Sequence, residues 1–136
     1  METNEHRTKT LEIVNVFKNS NPWQGNVEER GKKFQKCFED LKKVYNKPKL
    51  KLIISVDSKI SNWHTSAASY FDIRRKVIVL NGRLSVITFL HEFAHALNGH
   101  SEEKAREWSV DIFKEVFPDK FEKLNHNYNM YIKEKK

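Results

Sequence analysis

Cysteine is almost absent from this 136-residue chain: Cys37 is the only one. An internal disulfide is therefore excluded, and so is a cysteine-based zinc site unless a second chain contributes. Any metal must be held by histidine and carboxylate. Glycine is scarce as well, with four residues, whereas lysine is abundant, and that balance leans toward a helix-rich, strongly solvated surface. No apolar run approaches the roughly 20 residues needed to cross a bilayer. The opening "METNEHRTKT" is polar and has no apolar centre of the kind a secretion signal carries. A cytoplasmic protein without a membrane partner is the expectation. Internal repeats and low-complexity linkers are also missing.

The length suits one compact domain with a modest core and is too short for two. A single domain over 1–124, followed by a polar tail over 125–136, is the expected organisation. The formal charge of +7 favours nucleic acid, acidic protein surfaces or anionic membranes alike, through long-range attraction. The basic runs "RGKKFQK", "LKKVYNKPKLK" and "KEKK" read as solvated faces of helix and turn, with nucleic acid as the competing partner.

Periodicity supplies the elements. Leu11, Val14 and Phe17 at helical spacing predict a first helix over about 8–18, ended by "NSNPWQGN". Over 27–45, Phe34, Phe38, Leu41 and Tyr45 share one face opposite lysine and glutamate, which predicts an amphipathic helix covering a sheet. After Pro48, "LKLIISV" reads as a strand over about 50–56, and "SAASYFD" and "KVIVLN" as two more, joined by a turn through Ile73, Arg74 and Arg75. Ser85 caps a helix whose buried face is Val86, Phe89, Leu90, Phe93, Ala94 and Leu97, with Asn98-Gly99 as its stop. Ser101 caps a last long helix with Glu102 and Glu103 in its first turn, and Pro118 follows its end. The order predicts an α+β fold: a small, mainly antiparallel or mixed three-stranded sheet packed by helices.

Within that second-last helix lies "FLHEFAHALNGH". Residues four apart project from one side of a helix, so the imidazoles of His91 and His95 converge on one point and suit Zn²⁺. Glu92 projects at a neighbouring angle, where it reaches a water activated by the metal without binding the ion. A catalytic zinc normally takes three protein ligands. The buried direction of the next helix is defined by Ala105, Trp108, Ile112, Phe113 and Val116. At about 100° per residue, Glu102 lies within about 50° of it, while Glu103 and Glu107 point nearly opposite. Glu102 is therefore the expected third ligand, an interior-facing carboxylate in need of a partner, and His100 is the alternative. Tyr70, His64, His100 and His126 are candidates for oxyanion or substrate contacts by chemical type. The strand "SAASYF" could pair with an extended substrate at the sheet edge.

"HEFAH" followed by "EKAREWS" resembles the gluzincin zinc metallopeptidases, in particular the minigluzincins and ImmA/IrrE-like proteins. The likeness covers roughly 66–118. It implies a minimal zincin-like fold, a zinc site completed by the glutamate of an E-x-x-A pattern, here Glu102 to Ala105, and hydrolysis of a peptide or protein substrate. Arg106 stands where such families often carry Asp or Asn supporting a zinc histidine, and the link from His95 to Glu102 is short. The functional expectation is a zinc-dependent endopeptidase with Glu92 as general base. The alternatives are a metal-stabilised regulatory or nucleic-acid-binding module without peptidase activity, and an enzyme kept latent by the tail lying over its cleft.

Overall fold

A computed structural model describes residues 3–55, 69–81 and 84–126. Among them are five helices and three strands. Helix α1 spans Asn4–Asn19 and α2 spans Val27–Val44. Strands β1, Lys51–Ser55, β2, Tyr70–Asp72, and β3, Val77–Asn81, follow. Then come α3, Val86–Asn98, α4, Glu102–Val116, and α5, Pro118–His126. The class is α+β with a mixed sheet, as the order of the elements predicts.

Both opening helices begin at capping boxes. The Thr3 hydroxyl accepts from the His6 N–H at 3.1 Å while His6 Nδ1 accepts from the Thr3 N–H at 3.2 Å. Two otherwise orphaned backbone donors are satisfied in this way. That box starts α1 four residues before the position read from its apolar spacing. Asn26 and Glu29 do the same for α2. Pro118 follows the end of α4 as expected, but it also opens α5. A first-turn position suits proline, because the N–H it lacks would have no intrahelical partner.

The sheet order is β1-β3-β2, with β1 parallel and β2 antiparallel to β3. The hairpin from β2 to β3 turns on Asp72, whose Oδ1 accepts from the N–H groups of Arg74 and Arg75 at 3.0 and 3.1 Å. Lys76 closes the turn in the left-handed region, at φ 56°. The predicted strand over "SAASYFD" is shorter, Tyr70–Asp72, and 66–68 lie outside the described residues.

Ile78 and Leu80 of the central strand are buried toward the helices. Helix α3 packs on β2, β3 and α4; α1 lies against α2 and α4, and α2 against β1. The centre is rich in phenylalanine. Phe34 meets Phe89 edge-on at 5.7 Å, Phe38 meets Phe93 at 6.2 Å, and Phe17 meets Phe34 at 5.0 Å. Edge-to-face pairs of this kind add about 0.5–1.5 kcal/mol each beyond their burial. Helix α3 is thus clamped from several sides, and its orientation fixes where its polar residues point. No described helix is long and apolar enough to cross a membrane.

Candidate metal centre

The middle and later turns of α3, the turn after it and the first residue of α4 build one cluster. Ser85 starts α3 by accepting from the Thr88 N–H at 3.3 Å. From that start the helix buries Phe89, Leu90, Phe93 and Ala94, which turns His91 and His95 toward the N-terminus of α4. Gly99 ends the helix at φ 74° and ψ −142°, a backbone region that side-chain-bearing residues rarely enter. Its carbonyl accepts a bond from His95 Nδ1 at 2.7 Å. The chain then reverses through His100 and Ser101, and the Ser101 hydroxyl accepts from the Lys104 N–H at 3.2 Å to start α4. Glu102 is left facing both histidines.

Its carboxylate spans the two rings. His91 Nε2 lies 3.0 Å from Oε2, and His95 Nε2 lies 2.7 Å from Oε1. The rings sit 4.9 Å apart at 86°. One donor atom from each of His91, His95 and Glu102 falls within 4.8 Å of the others, a spacing that one divalent cation can bridge. His91 is 2% exposed and Glu102 55%, so the cluster has a closed side and an open one. The interior-facing carboxylate expected from periodicity is therefore a rim carboxylate. As the first residue of α4, Glu102 stands at the end of the helix and reaches back toward α3, where it also meets the positive end of the helix dipole.

The protonation chemistry fits a metal. Both nitrogens of His95 face oxygens, Gly99 O on one side and Glu102 Oε1 on the other. A carbonyl and a carboxylate only accept, so each nitrogen needs a proton unless a cation takes its place at Nε2. With Nδ1–H donated to Gly99, the ring is held in the tautomer that presents Nε2 as ligand. Burial lowers His91 below the ordinary histidine value against the pull of Glu102, which favours the neutral, ligating ring. Burial works to raise Glu102, yet His91 and His95 together bring it below the usual carboxylate range. Two imidazoles and one carboxylate form the donor set that Zn²⁺ takes at catalytic sites.

Glu92 lies beside this cluster and is 7% exposed. Burial raises its carboxyl to about 7, with His95 opposing and Glu102 adding to the rise. Of the other residues singled out from the sequence, the two whose side chains are described, His100 and Tyr70, are not drawn in. His100 is exposed in the turn and is no member of the donor cluster. Tyr70 is exposed on β2. His64 lies outside the described residues, as do the side chain of His126 and residues 127–136 of the tail. Arg106, one turn beyond Glu102, places a positive charge near His91 and so opposes protonation of that ring. The basic run on α2 is partly engaged within the chain. Lys33 bonds the carbonyls of Asn21 and Gln24, and Lys36 pairs with Asp40. The Gly99 carbonyl, bonded to His95, has no sequence signal beyond the glycine that stops the helix.

No known protein family, characterised protein or solved structure matches the chain.

Proposed function

We propose that this chain is a zinc-dependent peptidase of the cytoplasm, in which His91, His95 and Glu102 hold the ion and Glu92 is the general base. The convergence of two imidazole nitrogens and one carboxylate within 4.8 Å, beside a buried glutamate, carries this reading. The resemblance of "HEFAH" and "EKAREWS" to gluzincins supports it. When bound, Zn²⁺ supplies Lewis acidity, making water a better nucleophile and polarising the scissile carbonyl. The Glu92 carboxylate takes the proton from the attacking water and returns it to the nitrogen of the departing amine. Gly99 keeps Nε2 of His95 turned to the ligating side, and the packed face of α3 holds Glu92 in register with the two histidines.

The test is hydrolysis of a quenched fluorescent peptide library by the zinc-loaded protein. Cleavage that chelation abolishes and zinc restores is expected, with Glu92→Gln lowering kcat by about 10²- to 10⁴-fold, the usual worth of a general base, while retaining zinc. Full cleavage by Glu92→Gln would refute the assignment. Zinc binding without cleavage, together with salt-dependent DNA binding that survives Glu92→Gln, would favour the regulatory module instead.

A further inference from the structure

A cavity of about 440 Å³ opens beside His95. That volume falls within the roughly 300–1,000 Å³ typical of ligand sites. Its base is apolar: Leu50 just before β1, Phe71 from β2 and Ala96 from α3. Its rim is basic. Lys47 and Lys49 come from the connection between α2 and β1, and Lys76 from the hairpin between β2 and β3. The three lysines are exposed and belong to two separate connections. Among the described residues no carboxylate lines this cavity, and none of the three lysines takes part in an ion pair.

Charge, shape and position point the same way. An apolar base accepts the methylenes of a side chain, and unpaired ammonium groups at the mouth attract an anion at its tip. His95 and Phe71 both line the space, so it joins the proposed zinc ligand to β2, a strand at the edge of the sheet. A peptide extended along that edge would send alternate side chains to the two faces of the sheet.

We infer that this cavity is a substrate subsite that selects a peptide carboxylate next to the cleavage point. The inference rests on the peptidase reading for its role, but occupancy of the cavity is measurable without any cleavage. The probes are fluorescein-labelled ten-residue peptides in which Glu, Gln or Lys is walked through an uncharged sequence, each made with a free and an amidated C-terminus. Binding is measured by fluorescence anisotropy to the zinc-loaded Glu92→Gln protein, with and without Lys47→Gln and Lys76→Gln, both conservative changes at exposed sites. Zinc content and melting temperature of the lysine variants report that the fold is intact.

At one position, Glu should bind about tenfold more tightly than Gln, the scale of several partly exposed ion pairs acting together. That ratio should fall toward one in the lysine variant and at high salt. Discrimination confined to the free against the amidated terminus would support the same subsite, with the chain end as the source of the carboxylate. Equal binding of all forms, or a preference untouched by Lys47→Gln and Lys76→Gln, would overturn it. Cleavage by the wild-type protein without any Glu preference would refute the subsite and leave the peptidase. Charge-dependent binding without cleavage would refute the peptidase, and with it the substrate role, and leave the cavity as a carboxylate-binding site.

Discussion

Replacing Glu92 with Gln should make the metal-free protein more stable at neutral and alkaline pH. The carboxyl is 7% exposed and its pKa is raised from 4.5 to about 7, by burial first, with the charge of Glu102 adding and that of His95 opposing. The folded state therefore holds this proton at pH values where the unfolded chain has already released it. Between about pH 4.5 and 7 the native state binds more protons than the unfolded state, so stability falls as pH rises through that window. A shift of this size corresponds to about 3 kcal/mol, lost in full above pH 7. Gln matches the protonated carboxyl in shape and carries no charge to desolvate, so the variant escapes the penalty. Urea denaturation in chelator at pH 4.5, 6, 7 and 8 reads the effect. The advantage of Glu92→Gln over wild type should be near zero at the lowest pH, grow through the window and level off above pH 7. Parallel pH profiles, or a variant less stable at pH 8, would refute the reasoning. A buried carboxylate that costs stability is the signature expected of a residue kept for chemistry.

Phe93 is fully buried and in ring contact with Phe38, Tyr45, Phe89 and Trp108. Phe93→Ala should therefore cost about 3–5 kcal/mol in urea denaturation; a cost below about 1 kcal/mol would mean that α3 is not clamped as described. Gly99→Ala meets no atom within 4 Å, so only the backbone at φ 74° resists it. A loss of about 1–3 kcal/mol is expected, along with a drop in zinc affinity of about 10- to 100-fold as the carbonyl bonded to His95 moves. Competition titration with a zinc indicator measures the second effect, and unchanged affinity would deny Gly99 its positioning role. Zinc at about 1,000 times its Kd should stabilise the wild type by about 4 kcal/mol. That appears as a melting temperature higher by roughly 10–15 °C for a domain of this size, and no shift would exclude a folded-state site.

Much of this architecture was legible because the helical periodicity dominates it. The apolar spacing of α2, α3 and α4 follows the helical repeat, and the caps at Ser85, Gly99 and Ser101 are local signals. For the same reason the approach of His91, His95 and Glu102 was readable, since each lies on a helix face defined by its apolar neighbours. The start of α1 was missed because His6, rather than Glu or Gln, completes the capping box on Thr3. Helix α5 was not anticipated: proline breaks a helix interior but suits a first turn, and Pro118 alone does not say which applies. Glu102 was read as interior from the direction of α4, but a helix direction carries no information about how close the residue is to the helix end. The cavity beside His95 had no signal at all. Its walls come from positions near 47, 71 and 96, brought together by the pairing of β1 and β2 with β3 and by the packing of α3 on the sheet.

His91, His95 and Glu102 are proposed to hold one ion between them. Metal analysis of the purified wild type alongside His95→Ala, Glu102→Ala and His100→Ala tests it directly. About one zinc per chain is expected in wild type and in His100→Ala, as for a single three-ligand site, with its loss from both His95→Ala and Glu102→Ala and the fold retained. Zinc kept by Glu102→Ala but lost from His100→Ala would contradict it.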